Sequence, residues 1–290
     1  MAHKNKSNWS PYKARKAAQN QAPVSQGRVH RKPTENFSLE EVNDRLRDLF
    51  DRHGMGHITH AQRGQLAKLH LMLMAEQNER NFTRLLTLRD VGLKHFVDCM
   101  IVPKILSDAG LPFKSQQSQQ SQQFHLQFPL LDVGTGPGFP GVPLKILFPN
   151  ERIILAEGVQ KRVEFLKRLR EDLKLEKLDI LGRNINDEVF LPVQTVITRA
   201  VEDASNTLGN VIQCLQTGGH VVLMKGPNCT PEIQPALKQW GEYYRLKADL
   251  AYELPNTTQQ RRLLVFEKIK AAPLPDFEER DLAWEKQHGV

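Results

Sequence analysis

Cysteine is scarce, with three in 290 residues. Cys99, Cys214 and Cys229 form no CxxC pair, which argues against both a disulfide framework and a thiolate zinc site. Long apolar runs are missing as well. The densest, Leu69 to Met74, is flanked by charge and falls well under the roughly 18 residues that a membrane span requires. The N-terminal MAHKNKSNWSPYKARK has no apolar core of the kind a secretion signal carries, so a soluble chain in a reducing, cytoplasmic setting is expected, with no membrane partner. Acidic residues are absent from residues 1–34, where eight Lys and Arg side chains stand. The chain's net charge of +7 therefore lives in this arm. A polar, basic arm cannot bury enough apolar surface to order itself, and it suits a polyanion through counterion release. A merely solubilising tail is the equal alternative.

What remains is ordinary globular material, 40% apolar and 25% charged, long enough for one or two domains. SLEEVNDRLRDLFDRH at 38–53 opens with Ser38 and Glu41 in capping-box spacing and carries apolar residues at helical period, stopped by Gly54 and Gly56. Residues 60–80 and 89–106 continue as amphipathic helices, with the Leu and Met stripe at 66–74 read as core. The tract SQQSQQSQQ between Lys114 and Phe124 cannot pack and reads as a flexible insertion. Beyond it, strand-like runs at 126–133, 152–156, 178–181, 194–198 and 219–224 alternate with helical stretches at 141–148, 160–174, 203–216 and 230–240. That alternation predicts a parallel, doubly wound sheet. Tyr243–Glu253 and Arg262–Ile269 lack an intervening helix and read as an antiparallel pair at its edge.

LLDVGTGPGFPGVP at 130–143 places Gly134, Gly136 and Gly138 between a strand and a helix. Glycines there let the backbone turn tightly and approach a ligand, while the helix N-terminus offers free N–H groups. A nucleotide-type ligand is expected. Asp132 bears on which one, because a carboxylate beside a pyrophosphate repels it, whereas beside a methionine ammonium it attracts. This favours S-adenosylmethionine over NAD. Glu157, about 20 residues after the loop at the end of the second strand, can accept ribose hydroxyls from either.

Together with QKRVEFLKRLREDLKL at 160–175, ITRA at 197–200, LMKG at 223–226, RRLLVFEK at 261–268, NFT at 81–83 and KHFVDC at 94–99, this loop resembles the small-subunit ribosomal RNA guanine-N7 methyltransferase family, also called glucose-inhibited division protein B. The ordered set spans about residues 60–268. The resemblance implies an α/β class I methyltransferase fold, Rossmann-like and doubly wound with an antiparallel last strand, preceded by a small helical subdomain. It also implies S-adenosylmethionine as methyl donor and, as substrate, the guanine at position 527 of 16S ribosomal RNA, free or in the small ribosomal subunit. The expected organisation is a basic tail at 1–35, the helical subdomain at 36–112, the insertion at 113–124, the methyltransferase domain at 125–270 and a C-terminal tail at 271–290, in a monomer. The family's cofactor contacts fall on Gly134 and Phe139, on a dipeptide aligned to Ile185 and Asn186, and on Arg199. Two departures are Asn186, where the family usually has an acid, and Gln77, where it commonly has tryptophan.

The N7 lone pair of guanine lies outside Watson–Crick pairing and is unprotonated at neutral pH, so its methylation requires positioning and no general base. In agreement, the chain has no [DN]-P-P-[YF] tetrapeptide for an exocyclic amine and no Pro-Cys dipeptide for pyrimidine C5 chemistry. Arg199 is the candidate for the active site itself, and Lys225 and Arg261, at strand ends beside the crevice, are candidate phosphate ligands. His95, Asn81 and Asp98 read as structural groups.

Overall fold

A computed structural model of the protein describes residues 33, 35–111, 126–199 and 202–274. The basic tail, the Gln/Ser-rich insertion and the C-terminal tail lie wholly or largely outside the described residues. Helix α1 (Leu39–Arg52) opens with the reciprocal box read from the sequence: Glu41 N–H donates to the Ser38 hydroxyl at 3.2 Å, and Ser38 N–H to the Glu41 carboxylate at 2.8 Å. Helix α2 (His60–Arg80) opens the same way on Thr59 and Gln62, and stops at Asn81 in the left-handed region, φ 48°.

The third stretch is not the single helix expected over 89–106. It runs as α3 (Leu88–Val91), a π-helical segment (Gly92–Val97), α4 (Asp98–Met100) and α5 (Val102–Asp108). Two residues account for the breaks. Gly92 packs so closely on α1 that an added Cβ would stand 3.0 Å from Leu49 Cδ1. Pro103 has no N–H to extend a ladder and sits in the first turn of α5, where none is needed. The wider π turn, which holds His95, shifts the phase of the residues in and after it, Asp98 included.

The sheet comprises β1 (Leu130–Val133), β2 (Ile153–Ala156), β3 (Leu178–Leu181), β4 (Val193–Arg199), β5 (Leu215–Lys225), β6 (Tyr244–Glu253) and β7 (Gln260–Lys268), in the order β3-β2-β1-β4-β5-β7-β6. The first five strands are parallel; β7 enters antiparallel between β5 and β6. Helices α6 (Gly141–Leu147), α7 (Gln160–Asp172), α8 (Ala204–Asn210) and α9 (Thr230–Trp240) follow β1, β2, β4 and β5, while β3 runs to β4 without a helix.

Because successive strand side chains point to opposite faces, a sheet covered on both sides needs apolar residues at nearly every position. Leu130, Ile153, Leu155 and Ile197 face one core, which α1 to α7 cover, and their neighbours Leu131, Ile154, Ala156 and Val196 face the other, which α8 and α9 cover. The N-terminal helices thus share a core with the sheet. Asp132 falls in register with Leu130, on the face those helices cover. The helix expected at 203–216 ends at Asn210, and β5 begins four residues before the run at 219–224, where Leu215 pairs with Val193. The buried Lys268 ammonium takes the carbonyls of Ile212 and Leu215 at 2.5 and 2.7 Å, satisfying the chain where the helix stops.

Candidate active site

The first strand-to-helix turn is built around Asp132. Its Oδ2 accepts from the Thr135 hydroxyl at 2.6 Å and from Gly141 N–H at 2.7 Å, so the carboxylate spans the loop and seats the start of α6. The side chain is fully buried, and Oδ1 has no partner among the described residues. Burial pushes its pKa up to about 7 against those two hydrogen bonds. Gly134, Gly136 and Gly138 take φ of 65°, 61° and 108°, the region open to glycine without strain. Gly136 N–H donates to Glu157 Oε2 at 3.0 Å and Val159 N–H to Oε1 at 2.8 Å, and Arg162 reaches Oε2 at 3.3 Å. Acceptor capacity is left on Oε1. In the loop after β3, Ile185 is buried; the Asn186 amide donates to Glu188 at 3.3 Å, and its own oxygen is buried with no partner among the described residues.

Beside the loop, β4 delivers Arg199 into a cluster that its neighbours in sequence do not announce. One guanidinium nitrogen donates to His95 Nδ1 at 2.8 Å; another donates to the Lys94 carbonyl at 3.1 Å and lies 3.6 Å from Asp98 Oδ2. Asp98 Oδ1 also accepts from Arg261 Nε at 3.3 Å and from the Tyr252 hydroxyl at 3.5 Å. His95 stacks on Phe139 of the glycine loop, centroids 4.3 Å apart at 17°, and the Arg199 guanidinium carbon lies 5.5 Å from the same ring centroid. Burial drives the Asp98 carboxyl upward in spite of both arginines, and drives the Cys99 thiol upward too.

Arg199, Arg261 and Phe139 therefore meet, with Asp132, Gly134, Gly136 and Glu157 in the adjoining turn. Lys225 does not join them. Its ammonium pairs with Glu232 at 2.7 Å and caps the Glu202 carbonyl at 2.5 Å, while Glu232 in turn accepts from Ala204 N–H at 2.9 Å, so this cation secures the start of α8. The residues that sequence reasoning set aside are His95 and Asp98. Their i, i+3 spacing put two polar groups on one side of an otherwise apolar stretch, which was the available signal. Tyr252 had no such signal, since only the pairing of β6 with β7 brings it across.

The residues present fit S-adenosylmethionine on observations of this structure. An added Cβ at Gly136 would meet nothing within 4 Å, so the loop has an open side. The unpartnered Asn186 oxygen suits an exocyclic amine, and the unpartnered Asp132 oxygen suits an ammonium. The strand order, the glycine turn after β1 and the carboxylate at the end of β2 define a class I, S-adenosylmethionine-dependent methyltransferase.

Comparison with known proteins narrows the class. The model of the family described as rRNA small subunit methyltransferase G matches residues 62–248. A "Ribosomal RNA small subunit methyltransferase G 2" of Bdellovibrio bacteriovorus is 54% identical over 250 residues, covering 86% of this chain and 91% of that protein. A protein of the same description from Syntrophobacter fumaroxidans is 39% identical over 209 residues, 72% of this chain and 38% of that longer protein. The "Ribosomal RNA small subunit methyltransferase G" of Clostridium tetani is 30% identical over 210 residues, covering 69% and 80%. The chain belongs to the ribosomal RNA small subunit methyltransferase G family.

Proposed function

We propose that this enzyme methylates N7 of a guanine, position 527, in 16S ribosomal RNA. The observation that carries the reading is a cationic cluster beside the cofactor turn whose titratable groups, among the described residues, are each committed to a partner or held protonated. The His95 Nδ1 lone pair is committed to Arg199, the Asp98 carboxylate is committed to two guanidiniums, and the Cys99 thiol is held protonated by burial. A nucleophile with its own free lone pair is the kind such a site can serve. When bound, S-adenosylmethionine supplies an electrophilic methyl group. In this reading Asp132 opposes the ammonium, Glu157 accepts from ribose, Ile185 packs on adenine and Asn186 accepts from its amine. Arg199 and Arg261 hold the nucleotide through O6 or phosphate, leaving N7 open. Lys225 acts at one remove, through Glu232.

The protein is expected to work as a monomer in the cytoplasm, on naked RNA or on an assembling subunit. No helix among the described residues is long and apolar enough to cross a membrane. The test supplies purified enzyme and S-adenosylmethionine with unmodified 16S ribosomal RNA and, separately, with small subunits, then maps the methyl by mass. One N7-methylguanine in either substrate is the expected result. A methyl on another atom or another RNA would overturn the reading.

Asp132 makes cofactor binding proton-linked. Its folded pKa lies near 7, above its ordinary 3.8, so the free enzyme holds the proton below neutrality, and an ammonium placed beside it drives that proton off. Calorimetry in buffers of different ionisation enthalpy should find that binding releases about one proton at pH 6 and little at pH 8.5, and that Asp132→Asn removes the difference. The stability sign is the converse of a salt-bridged acid: in the free protein the contribution from Asp132 is full below about pH 4 and is lost as pH rises to 7.

A further inference from the structure

We propose that His95 is a positioning residue for methyl transfer: held in place by Thr83, it fixes the edge of the Arg199 guanidinium through the lone pair on Nδ1. The proposal rests on the reading above that Arg199 meets the substrate nucleotide.

A guanidinium has donors and no acceptor, so the 2.8 Å contact between Arg199 and His95 Nδ1 requires the lone pair on that nitrogen. The imidazole is then neutral with its proton on Nε2, which lies 3.2 Å from Thr83 Oγ1 and donates to it. Thr83 is itself held fast. Its N–H donates to Gln77 Oε1 at 3.1 Å, its carbonyl accepts from Gln77 Nε2 at 2.8 Å, and its hydroxyl oxygen accepts from Leu85 N–H at 3.1 Å. Gln77 is fully buried and makes this clamp with both ends of its amide. The ring's remaining face stacks on Phe139.

His95 is thus constrained from three directions, by the link between α2 and α3, by the glycine loop and by β4. The stack reaches the cofactor turn through Phe139, and the bond to Arg199 reaches the side where the substrate nucleotide would lie. Burial, with Arg199 beside it, holds the imidazole pKa down to about 3, so the lone pair is available throughout the working range. A histidine that only filled space would need no particular tautomer and could be replaced by a ring of equal size. A positioning histidine needs an acceptor at Nδ1, and a guanidinium displaced by about 1 Å costs on the order of 10²-fold in rate.

The experiment compares His95→Phe, which keeps the ring and its stack but has no acceptor, with His95→Asn, whose amide oxygen stands where Nδ1 did. Thr83→Val and Thr83→Ser form the second pair. Single-turnover transfer to 16S ribosomal RNA should fall on the order of 10²-fold in His95→Phe while S-adenosylmethionine affinity stays within about threefold by calorimetry. His95→Asn should recover about tenfold of the loss; Thr83→Val should lose about tenfold, and Thr83→Ser little. In the unsubstituted protein, nitrogen-15 spectra of labelled histidine should show a neutral, Nε2-protonated His95 at pH 6. Transfer by folded His95→Phe within about threefold of the parent, or equal loss in the Phe and Asn variants, would overturn the proposal. So would a proton on Nδ1, a result independent of activity and of whether His95→Phe folds. If the unsubstituted enzyme shows the predicted spectrum but transfers no methyl to 16S ribosomal RNA, it is the proposed function that fails.

Discussion

Gly141→Val is expected to abolish S-adenosylmethionine binding and to destabilise the fold by about 3 kcal/mol, the upper range for forcing volume into a packed interior. A Cβ at this position would stand 2.2 Å from Leu155 Cδ2 and 2.7 Å from Asp132 Oδ2. Leu155 is a fully buried core residue of β2, so it cannot swing into solvent. Displacing the α6 N-terminus instead breaks the Gly141 N–H bond to Asp132 and leaves a buried carboxylate with Thr135 as its one hydrogen-bond donor among the described residues. Either route dismantles the turn. Gly136→Ala provides the contrast within the same loop. There a Cβ meets nothing within 4 Å, so the fold should lose only about 1 to 2 kcal/mol, from the left-handed φ of 61°. The methyl would nevertheless enter the open side of the turn, and cofactor affinity should fall. Thermal melting and calorimetry on the two variants separate these outcomes. A Gly141→Val protein that melts and binds like the parent would remove Asp132 from its place as the anchor of the loop.

Asp98→Asn should lower methyl transfer on the order of 10²-fold, through loss of the groups' mutual placement, and cost about 2 kcal/mol of stability. The carboxylate is the shared counterion of Arg199 and Arg261, at 3.6 and 3.3 Å. Without it two partly buried guanidiniums lose the carboxylate they share. The stability cost is placed below the roughly 3 to 5 kcal/mol of a broken, fully buried pair because these arginine side chains are 18% and 26% exposed and can be partly rehydrated. The direction of the Asp98 pKa adds a second expectation. Burial raises it, so lowering the pH protonates this group earlier than an ordinary aspartate, and the parent enzyme should approach the behaviour of the Asn variant on the acid side. Urea unfolding and single-turnover rates at several pH values read both effects. Unchanged transfer by Asp98→Asn would show that the two arginines need no common carboxylate.

These predictions draw on residues that differ in how far the sequence revealed them. The glycine turn could be read in advance because its determinants are contiguous: a strand, three glycines and a helix start lie within residues 130–143, and each requirement is a property of one or two neighbouring residues. Capping of α1 is legible for the same reason. The helix expected at 203–216 illustrates the limit, since whether Val211 to Leu215 continues a helix or turns into β5 depends on Val193 and Lys268, which arrive from elsewhere in the chain.

Lys225 and Asp98 show this most plainly at the site. From the sequence, a lysine at a strand end beside the crevice and an aspartate in an amphipathic stretch suggest a ligand and a structural group respectively. Folding pairs Lys225 with Glu232 of α9, and it sets Asp98 between arginines from β4 and β7, 163 positions away in the case of Arg261. Short-range pattern was sufficient for the alternation of strands and helices, the parallel sheet and the loop that receives the cofactor, because steric and hydrogen-bonding rules there act over a few residues. The partner of each charged side chain was decided only by the packed sheet and its covering helices. Coulomb attraction and desolvation depend on distance in space, which the order of residues along the chain does not specify.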